Sequence, residues 1–479
     1  MSPSIAFLHC ANPRKHHLRC IINRVKSQSH KGGFLGFMQK APSDILMNSL
    51  GKFSGKRFLS IFRFKSWWST MWVGNSSTDL QMETQWALIE VPKSCSYVLL
   101  LPIIEGKFRS SIHPGGDGEA VVCAESGSTA VKASSFAALV YVHVSDNPYN
   151  LMKEAYTAVR VYLNTFRLLE EKSLPSLIDM FGWCTWDALH FTVDLVGVWH
   201  GVKDFYEGGV QLRFLIIDDG WQSTKFDDES AIKDGKNEVS ARAEGVAARP
   251  SMFEENDKFK KYKGESLLSP DAPPYDVKST NKLKAKALEL EQAQTAREKS
   301  VQSGVVDLSF FDTVMEGLKK ELSGVEGVDD SSLDNEIIHT NCYSSEYQGL
   351  KAFVKDLRTR FRGLDDVYMW QALCGAWGGV SPSATSFDFD SKIVSARVSP
   401  CLAGTMFDGA LVKCLRYGVG LVHPDQIARF YNSMHSYLAS AGITGVKVDV
   451  IHMIELAGEE YGGRVELAKA YYKGLSESL

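Results

Sequence analysis

Four short apolar segments, separated by stretches with helical spacing, constrain the fold of this chain more than any other feature. They lie near Met180–Trp186, Phe214–Asp219, Val367–Leu373 and Val446–Val450. Buried strands that alternate with helices indicate a parallel sheet. Each segment ends in polar or aromatic residues, as expected at the carboxyl ends of strands in a (β/α)8 barrel, where active sites form. We therefore expect residues 176–479 to form an incomplete (β/α)8 catalytic barrel.

The region before the predicted barrel has a different periodicity. Apolar and polar residues alternate with a period of two in segments such as Gln85–Val91 and Tyr97–Ile104, and Gly, Ser, Pro and Asp clusters separate these segments. Short strands at this spacing predict a partial β-sandwich over residues 46–146. Asn147 followed by Pro148 is a favourable N-cap and first helical position, which predicts a linker helix within residues 147–175.

The connection between the second and third apolar segments is unusually long. From Trp221 to Val367 it far exceeds the roughly 30 residues of one barrel unit. Within it, Lys282–Val301 has the composition of a charged helix, and an apolar stripe from Phe311 to Leu322 indicates a second helix. We expect a helical hairpin in an insertion at about residues 228–345.

The overall charge and the apolar content exclude some partners. The formal net charge of −4 argues against a nucleic-acid partner, which usually requires a clustered basic surface. The longest strongly apolar run, around Tyr97–Ile104, is too short to cross a bilayer, so we expect no membrane partner.

The cysteines bear on the compartment and on metal binding. The nine cysteines are scattered and form no C-x-x-C pair, which argues against disulfides or a zinc site and favours a reducing, cytoplasmic compartment. We expect no metal and no cofactor. The sequence leaves the oligomeric state open.

The first 45 residues form an atypical basic segment. No acidic residue precedes Asp44, which is the compositional cue of an organelle transit peptide. A plastid location is therefore an alternative to the cytoplasm. A solvated basic tail and a misplaced start codon explain the same composition.

Charged and aromatic side chains lie at or beside all four predicted strand ends. Taken singly each is weak evidence, since paired aspartates often cap loops and a Lys-x-Asp pair often forms an internal salt bridge. Burying so many carboxylates around one opening costs several kcal/mol unless a ligand or a partner meets them. Carboxylates, one cation and indole faces suit a neutral, polyhydroxylated substrate. The residues are Trp183, Trp186, Asp187, Asp218, Asp219, Trp221, Trp370, Trp377, Lys447 and Asp449.

Several long motifs carry a resemblance to a known family. FGWCTWDALHFTV, FLIIDDGWQS, ALCGAWGGV, GITGVKVDVIH and EEYGGRVELAKAYYKGL resemble the raffinose synthase and stachyose synthase group of plants, which is related to the α-galactosidases of glycoside hydrolase family 36. The similarity extends from about Leu50 to Leu479. It implies a β-sandwich followed by the first half of a (β/α)8 barrel. The insertion resembles that of the stachyose synthase members, whereas raffinose synthase members lack most of it.

The resemblance also implies a reaction and roles for the strand-end residues. The family carries out a retaining double displacement, in which a carboxylate attacks the galactosyl donor galactinol and an acceptor sugar, raffinose or sucrose, replaces water. The nucleophile falls on Asp449. Residues that hydrogen-bond the galactose hydroxyls fall on Lys447, Asp218 and Asp219. The remaining substrate-binding positions, in the pocket wall or beside it, fall on Trp183, Asp187, Trp221 and Trp370.

Two departures from the family pattern affect these expectations. Gln371 stands where the family usually has a histidine, which is expected to alter contacts with the acceptor or the pocket. The family's general acid/base is an aspartate beyond Leu479, so we expect this chain by itself to be an inactive, truncated form. Hydrolysis of α-galactosides and sugar binding without catalysis are the alternatives to transfer.

Overall fold

The computed structural model describes only part of the chain. The described residues are 20–23, 32–65, 68–225, 248–264, 308–323, 348–382, 387, 389–398 and 417–478, with single helical positions at 286, 289, 290, 293 and 297. The chain divides into two compact units. The first comprises Met1–Leu174, Arg397–Phe407 and His452–Lys469, and the second comprises Pro175–Ala396, Asp408–Ile451 and Ala470–Leu479.

The described residues form the following strands and helices. The strands are β1 (Cys20–Asn23), β2 (Gly32–Ser43), β3 (Ile45–Gly51), β4 (Ser54–Lys65), β5 (Trp68–Ser76), β6 (Thr84–Val91), β7 (Ser96–Pro102), β8 (Ile104–Glu105), β9 (Phe108–Pro114), β10 (Ala120–Glu125), β11 (Ala133–Ser145), β12 (Gly182–Cys184), β13 (Phe214–Ile217), β14 (Asp366–Ala372), β15 (Ser391–Val394), β16 (Val419–Val422) and β17 (Gly445–Asp449). The α-helices are α1 (Pro148–Leu163), α2 (Trp186–Leu189), α3 (Leu195–Glu207), α4 (Asp257–Lys260), α5 (Ser309–Ser323), α6 (Gly349–Arg360), α7 (Ile427–Ser440), α8 (Met453–Leu456) and α9 (Arg464–Ser478). In the described part of the chain, no helix is both long enough and apolar enough to span a membrane.

The first unit contains one 11-stranded antiparallel sheet. Its main path runs β1-β2-β11-β7-β6-β9-β10-β3, while β4 pairs with β5 and β6, and β8 pairs with β9. The predicted antiparallel strands are therefore present, but hydrogen bonding joins them into a single sheet rather than two. The alternating pattern predicts strands and their faces, whereas it does not specify which strands pair.

The sheet also begins earlier in the chain than the predicted boundary at residue 46. β2 pairs with β11, with Phe34 opposite Tyr141, and β1 pairs with β2, so the described part of the sheet begins at Cys20. Both faces of the sheet are covered. One carries a core that includes Phe58, Ile112 and Val122. The other packs against α1.

Helix α1 confirms the predicted N-terminal boundary. The side chain of Asn147 accepts hydrogen bonds from the backbone N–H groups of Tyr149 and Asn150, and Pro148 is the first helical residue. Leu151, Ala155 and Val159 share one helix face and are buried against the sheet. The apolar stripe recognised in the sequence is therefore the contact face of this helix.

A buried ion-pair cluster lies in the first unit. Glu83, whose side chain is 0% exposed, contacts Arg109 at 2.6 Å and Arg63 at 3.2 Å. Arg63 also pairs with Glu455 of α8. Burial alone would raise the pKa of Glu83, but Arg109, His113 and Arg63 together hold it well below its usual range. Burial would also raise the pKa of Glu455, but Arg109, Arg63 and Arg464 outweigh it and lower that pKa to about 2.

Replacing Glu83 by glutamine should lower the free energy of unfolding at pH 7 by about 3–5 kcal/mol, because two buried guanidinium groups lose their shared carboxylate. A carboxylate with a depressed pKa stabilises the fold above its unfolded pKa, and this contribution disappears as the pH falls towards the folded value. The difference between wild type and Glu83→Gln should therefore shrink below about pH 4.5. Calorimetric unfolding between pH 2 and 8 would measure both effects.

Glu90→Gln is the matched control, because Glu90 pairs with Arg57, whose side chain is 77% exposed. An exposed pair of this kind contributes little, so the unfolding curve should scarcely change. Equal effects of the two substitutions would contradict a stabilising role for the buried cluster.

The second unit contains a four-stranded parallel sheet in the order β12-β13-β14-β17. These strands confirm the four apolar segments predicted from the sequence, with ends shifted by a few residues. On the face covered by helices, Leu215, Val367 and Met369 pack in one core with Val198 of α3 and Phe353 of α6. Because side chains alternate along a strand, the residues between these core positions point to the opposite face of the sheet.

The predicted insertion lies mostly outside the described residues. The second predicted helix is present as α5, Ser309–Ser323. Within the predicted helix Lys282–Val301, the few described positions are helical. One of them, Arg297, forms an ion pair of 2.6 Å with Asp312 of α5.

Candidate functional site

The face of the parallel sheet opposite the helices carries the polar residues at the strand ends. Cys184 of β12 and Lys447 of β17 lie on this face. Asp218 follows directly after β13, and Asp449 is the last residue of β17. Because all four strands are parallel, their carboxyl ends lie at one edge of the sheet. The structure therefore brings the predicted acidic and basic residues together.

Lys447 and Asp218 form the first pair of the site. Lys447 Nζ lies 2.5 Å from Asp218 Oδ2, and the Asp218 side chain is only 2% exposed. Asp218 Oδ1 also accepts the backbone N–H of Asp219 at 2.8 Å. Desolvation lowers the pKa of Lys447, but the hydrogen bond and charge of Asp218 outweigh it and raise that pKa above its ordinary value. The lysine is thus a charged donor at the edge of the site.

Cys184 completes this pair on the neighbouring strand. Its Sγ lies 3.0 Å from Asp218 Oδ2. Burial, followed by the hydrogen bond to Asp218, raises the pKa of the thiol to about 11. Cys184 is therefore a neutral thiol that donates a hydrogen bond to the Asp218 carboxylate. Because the thiolate is the reactive form of cysteine, this thiol is not expected to act as a nucleophile.

Asp449 is held by hydrogen bonds to both carboxylate oxygens. Trp370 Nε1 donates to Oδ2 at 3.2 Å, and the backbone N–H of Val450 donates to Oδ1 at 2.7 Å. The backbone carbonyl of Asp449 accepts the N–H of Leu373 at 2.8 Å. Val450 has φ 58°, a strained conformation for a β-branched residue. The peptide bond between Asp449 and Val450 thus presents its N–H to the Asp449 carboxylate.

Asp219 lies near Asp218 and Asp449, and a second indole, that of Trp377, donates a hydrogen bond to it. Trp377 Nε1 donates to Asp219 Oδ2 at 2.8 Å. Burial raises the pKa of Asp219 to about 6, the charges of Asp218 and Asp449 add to this rise, and the Trp377 hydrogen bond opposes it. Asp219 therefore titrates closer to neutrality than an ordinary aspartate.

Two predicted binding residues lie elsewhere. Trp183 packs against the helix-covered face, with its ring against Gly201 of α3 and 5.8 Å from the ring of Phe205. The expectation that it shares a pocket wall with Lys447 is corrected, because successive strand residues point to opposite faces. Asp187 is exposed in the short helix α2.

Two further tryptophans support the site from within the protein. Trp221 is 1% exposed, and its Nε1 donates to the backbone carbonyl of Trp370 at 2.8 Å. Trp370 is also 1% exposed. In this structure both indoles act through hydrogen bonds to protein atoms rather than by presenting a ring face to the solvent.

Gln371 also points away from the carboxylates. Its side chain is buried, and its Oε1 lies 3.3 Å from His435 Nε2 of α7. The expected effect of this substitution on the pocket is therefore corrected: Gln371 contacts a helix on the other face of the sheet. Burial lowers the pKa of His435, which favours its neutral form.

Sequence reasoning left two site residues without a role. Cys184 follows Trp183, the residue that was predicted to bind substrate. Successive side chains of a strand point to opposite faces, so only one of these two neighbours can face the site. Trp377 was noted at the strand end without being assigned a contact. Among the described residues, no group of three or more His, Cys, Asp or Glu side chains is arranged to hold a metal ion.

The carboxyl-terminal edge of the parallel sheet carries carboxylates, one ammonium group and indoles. A site of this class suits a neutral, hydroxyl-rich ligand. Residues 15–479 match the family described as "Raffinose synthase or seed imbibition protein Sip1". The chain belongs to this family.

Curated relatives and solved structures give further comparisons. The chain is 53% identical over 459 residues to stachyose synthase of Pisum sativum, covering 96% of this chain and 53% of that protein. It is 51% identical to probable galactinol–sucrose galactosyltransferase 4 of Arabidopsis thaliana, covering 96% of this chain and 52% of that protein. The chain thus spans about half the length of these relatives. Among solved structures, the chain is similar to the family 36 α-galactosidase AgaA from Geobacillus stearothermophilus in complex with raffinose. The match covers 93% of this chain and 49% of that chain, at 13% identity and with a TM-score of 0.40.

Proposed function

We propose that this chain supplies the donor site and the nucleophile of an enzyme that transfers an α-galactosyl group from galactinol to raffinose or a related acceptor. The observation that carries the proposal is the position of Asp449, with both carboxylate oxygens hydrogen-bonded, at the same sheet edge as the Lys447–Asp218 pair. Membership of the family and the names of the relatives support the choice of reaction.

The parallel sheet is inferred to be the first half of a (β/α)8 barrel. Its strands follow one another in chain order, and its functional residues lie at their carboxyl ends, as in that fold. The antiparallel unit and the parallel unit then correspond to the predicted sandwich and catalytic domains. The predicted linker helix corresponds to α1.

The proposed reaction is a double displacement. A lone pair of Asp449 forms a bond to the anomeric carbon of the galactosyl group, and the bond to the inositol oxygen of galactinol breaks. The departing oxygen takes a proton from a general acid that this chain does not supply, and the deprotonated form of the same group is the base of the second step. An acceptor hydroxyl then attacks the same carbon, its proton is lost to a base, and the Asp449 carboxylate is regenerated. Two inversions give retention of configuration.

Lys447, Asp218 and Asp219 are proposed to hold the galactosyl hydroxyls during both steps. A lysine donates only, whereas ionised aspartates accept only, so the three groups match hydroxyls that both donate and accept. The neutral thiol of Cys184 fixes Asp218 from the neighbouring strand. Lys447 and the two aspartates belong to two different strand ends, β17 and β13, which favours recognition of several hydroxyls at once.

Raffinose is the proposed acceptor, and sucrose is the alternative. The chain is 53% identical to the stachyose synthase of Pisum sativum and 40% identical to the galactinol–sucrose galactosyltransferase of the same species. The resemblance of the insertion to that of stachyose synthases favours the same acceptor. Hydrolysis remains the second candidate function, because it differs only in whether water attacks the intermediate.

A fusion would test the proposal without depending on the length of this chain. This chain would replace the matched part of the pea stachyose synthase, leaving the unmatched part of that protein in place. Incubation with galactinol and raffinose should give a tetrasaccharide, detected by chromatography. Use of sucrose alone would identify the other acceptor, and release of free galactose as the main product would favour hydrolysis.

A further inference from the structure

Two indole rings lie in contact between the carboxylates of the site. Trp370 belongs to β14, and Trp377 lies in the loop that follows this strand. Their ring centroids are 6.4 Å apart and their planes differ by 25°. This separation falls within the range for offset aromatic stacking.

Each ring donates its N–H to a different carboxylate. Trp370 Nε1 reaches Asp449 Oδ2 at 3.2 Å, and Trp377 Nε1 reaches Asp219 Oδ2 at 2.8 Å. An indole N–H is rigid with respect to its ring, so stacking the rings fixes one donor relative to the other. The stacked rings therefore link the two carboxylates through their N–H groups.

Backbone contacts hold both indoles in place. The carbonyl of Trp370 accepts Trp221 Nε1 at 2.8 Å. In the loop that carries Trp377, Gly379 has φ 81°, and a Cβ there would lie 2.1 Å from the carbonyl oxygen of Gly420. The N–H of Gly420 donates to the carbonyl of Gly378 at 2.8 Å. Glycine thus permits the close backbone contact that anchors this loop.

The charges of the site explain why such a support is needed. Lys447 is paired with Asp218, so Asp219 and Asp449 repel each other beside an already neutralised lysine. Repelling carboxylates either separate or take up a proton. A fixed pair of N–H donors opposes both outcomes by stabilising the two negative charges in place.

We propose that Trp377 is a positioning residue that holds Asp219 at a set distance from Asp449 through its stack on Trp370. The inference rests on the proposed function, in which Asp219 binds the galactosyl group and Asp449 attacks it. Trp377 acts through Asp219 and through Trp370, and not by contact with the reacting atoms. Its two contributions, hydrogen bonding and stacking, are separable by substitution.

A measurement without any sugar tests the hydrogen bond. The chain would be labelled with ¹⁵N at tryptophan indoles, and the resonance of Trp377 would be identified by its loss in Trp377→Phe. We expect this resonance to shift with pH around the pKa of Asp219, about 6, and to lose that dependence in Asp219→Asn. Trp199→Phe, which removes a core indole on α3, should leave the titration unchanged. An identical titration in Asp219→Asn would overturn the proposal.

Kinetics of the fusion enzyme test the stack. Trp377→Phe keeps an aromatic ring but removes the donor, and should raise KM for galactinol about 10-fold with little change in kcat, because binding to Asp219 is weakened equally in the ground and transition states. Trp377→Leu also removes the stack, and should lower kcat as well. Equal kinetics for the two variants would overturn the spacing role. An inactive fusion would refute the proposed function, while the sugar-free titration would still decide whether Trp377 supports Asp219.

Discussion

Replacing Asp449 by asparagine is expected to lower galactosyl transfer by about 10⁴-fold or more, because the amide is a poor nucleophile and removal of an enzyme nucleophile has effects of this order. The substitution is nearly isosteric. The amide oxygen still accepts one hydrogen bond, from Trp370 Nε1 or from the N–H of Val450, so the fold should persist. The initial rate of tetrasaccharide formation from galactinol and raffinose, in the fusion enzyme, measures the effect.

Asp425→Asn is the matched control for this loss, because the Asp425 side chain is 88% exposed and pairs only weakly with its neighbour His423 at 3.6 Å. Its transfer rate should equal that of the parent. Retention of more than a few per cent of the rate in Asp449→Asn, or covalent trapping of a galactosyl group on Asp218 or Asp219, would contradict the assignment.

Replacing Lys447 by methionine is the second change with a large expected effect. It leaves Asp218 buried without its cation, which should lower the free energy of unfolding by about 3 kcal/mol, the lower end of the range for a broken buried pair, because the Lys447 side chain is 35% exposed. Galactinol binding should also be lost, since a charged donor to the sugar hydroxyls has gone. Urea unfolding and a binding titration measure these two effects separately.

The double variant Lys447→Met, Asp218→Asn separates stability from function. Removing the unpaired charge should recover much of the lost stability, because a buried neutral amide costs less than a buried carboxylate. Binding should remain lost. Recovery of galactinol binding in the double variant would show that Lys447 acts only by neutralising Asp218, and would refute its proposed contact with the sugar.

The pH dependence of Lys447 follows from its raised pKa. A cation whose folded pKa exceeds its unfolded value stabilises the fold below the unfolded pKa, and this contribution is lost as the pH rises through the folded value. The difference in stability between wild type and Lys447→Met should therefore be constant near neutral pH and should decrease only in strongly alkaline solution.

The sequence by itself determined the four parallel strands and the polar residues at their ends. Apolar runs such as Phe214–Ile217 have few alternatives to a buried strand, and carboxylates such as Asp218 can follow such a run only where it ends. The N-cap at Asn147 was equally predictable, because capping depends on residues within one helical turn. These features are local, and local chemistry is what a sequence pattern records.

Only the tertiary structure decided which neighbours on a strand face the site. Cys184 and Trp183 are adjacent, so they point to opposite faces of the sheet. Which of them faces the site is known only once helix packing has shown which face is covered. The single antiparallel sheet and the Glu83–Arg63–Glu455 cluster depend on residues far apart in the chain. Their pairing is set by burial and charge in three dimensions, and for that reason the sequence pattern could not predict it.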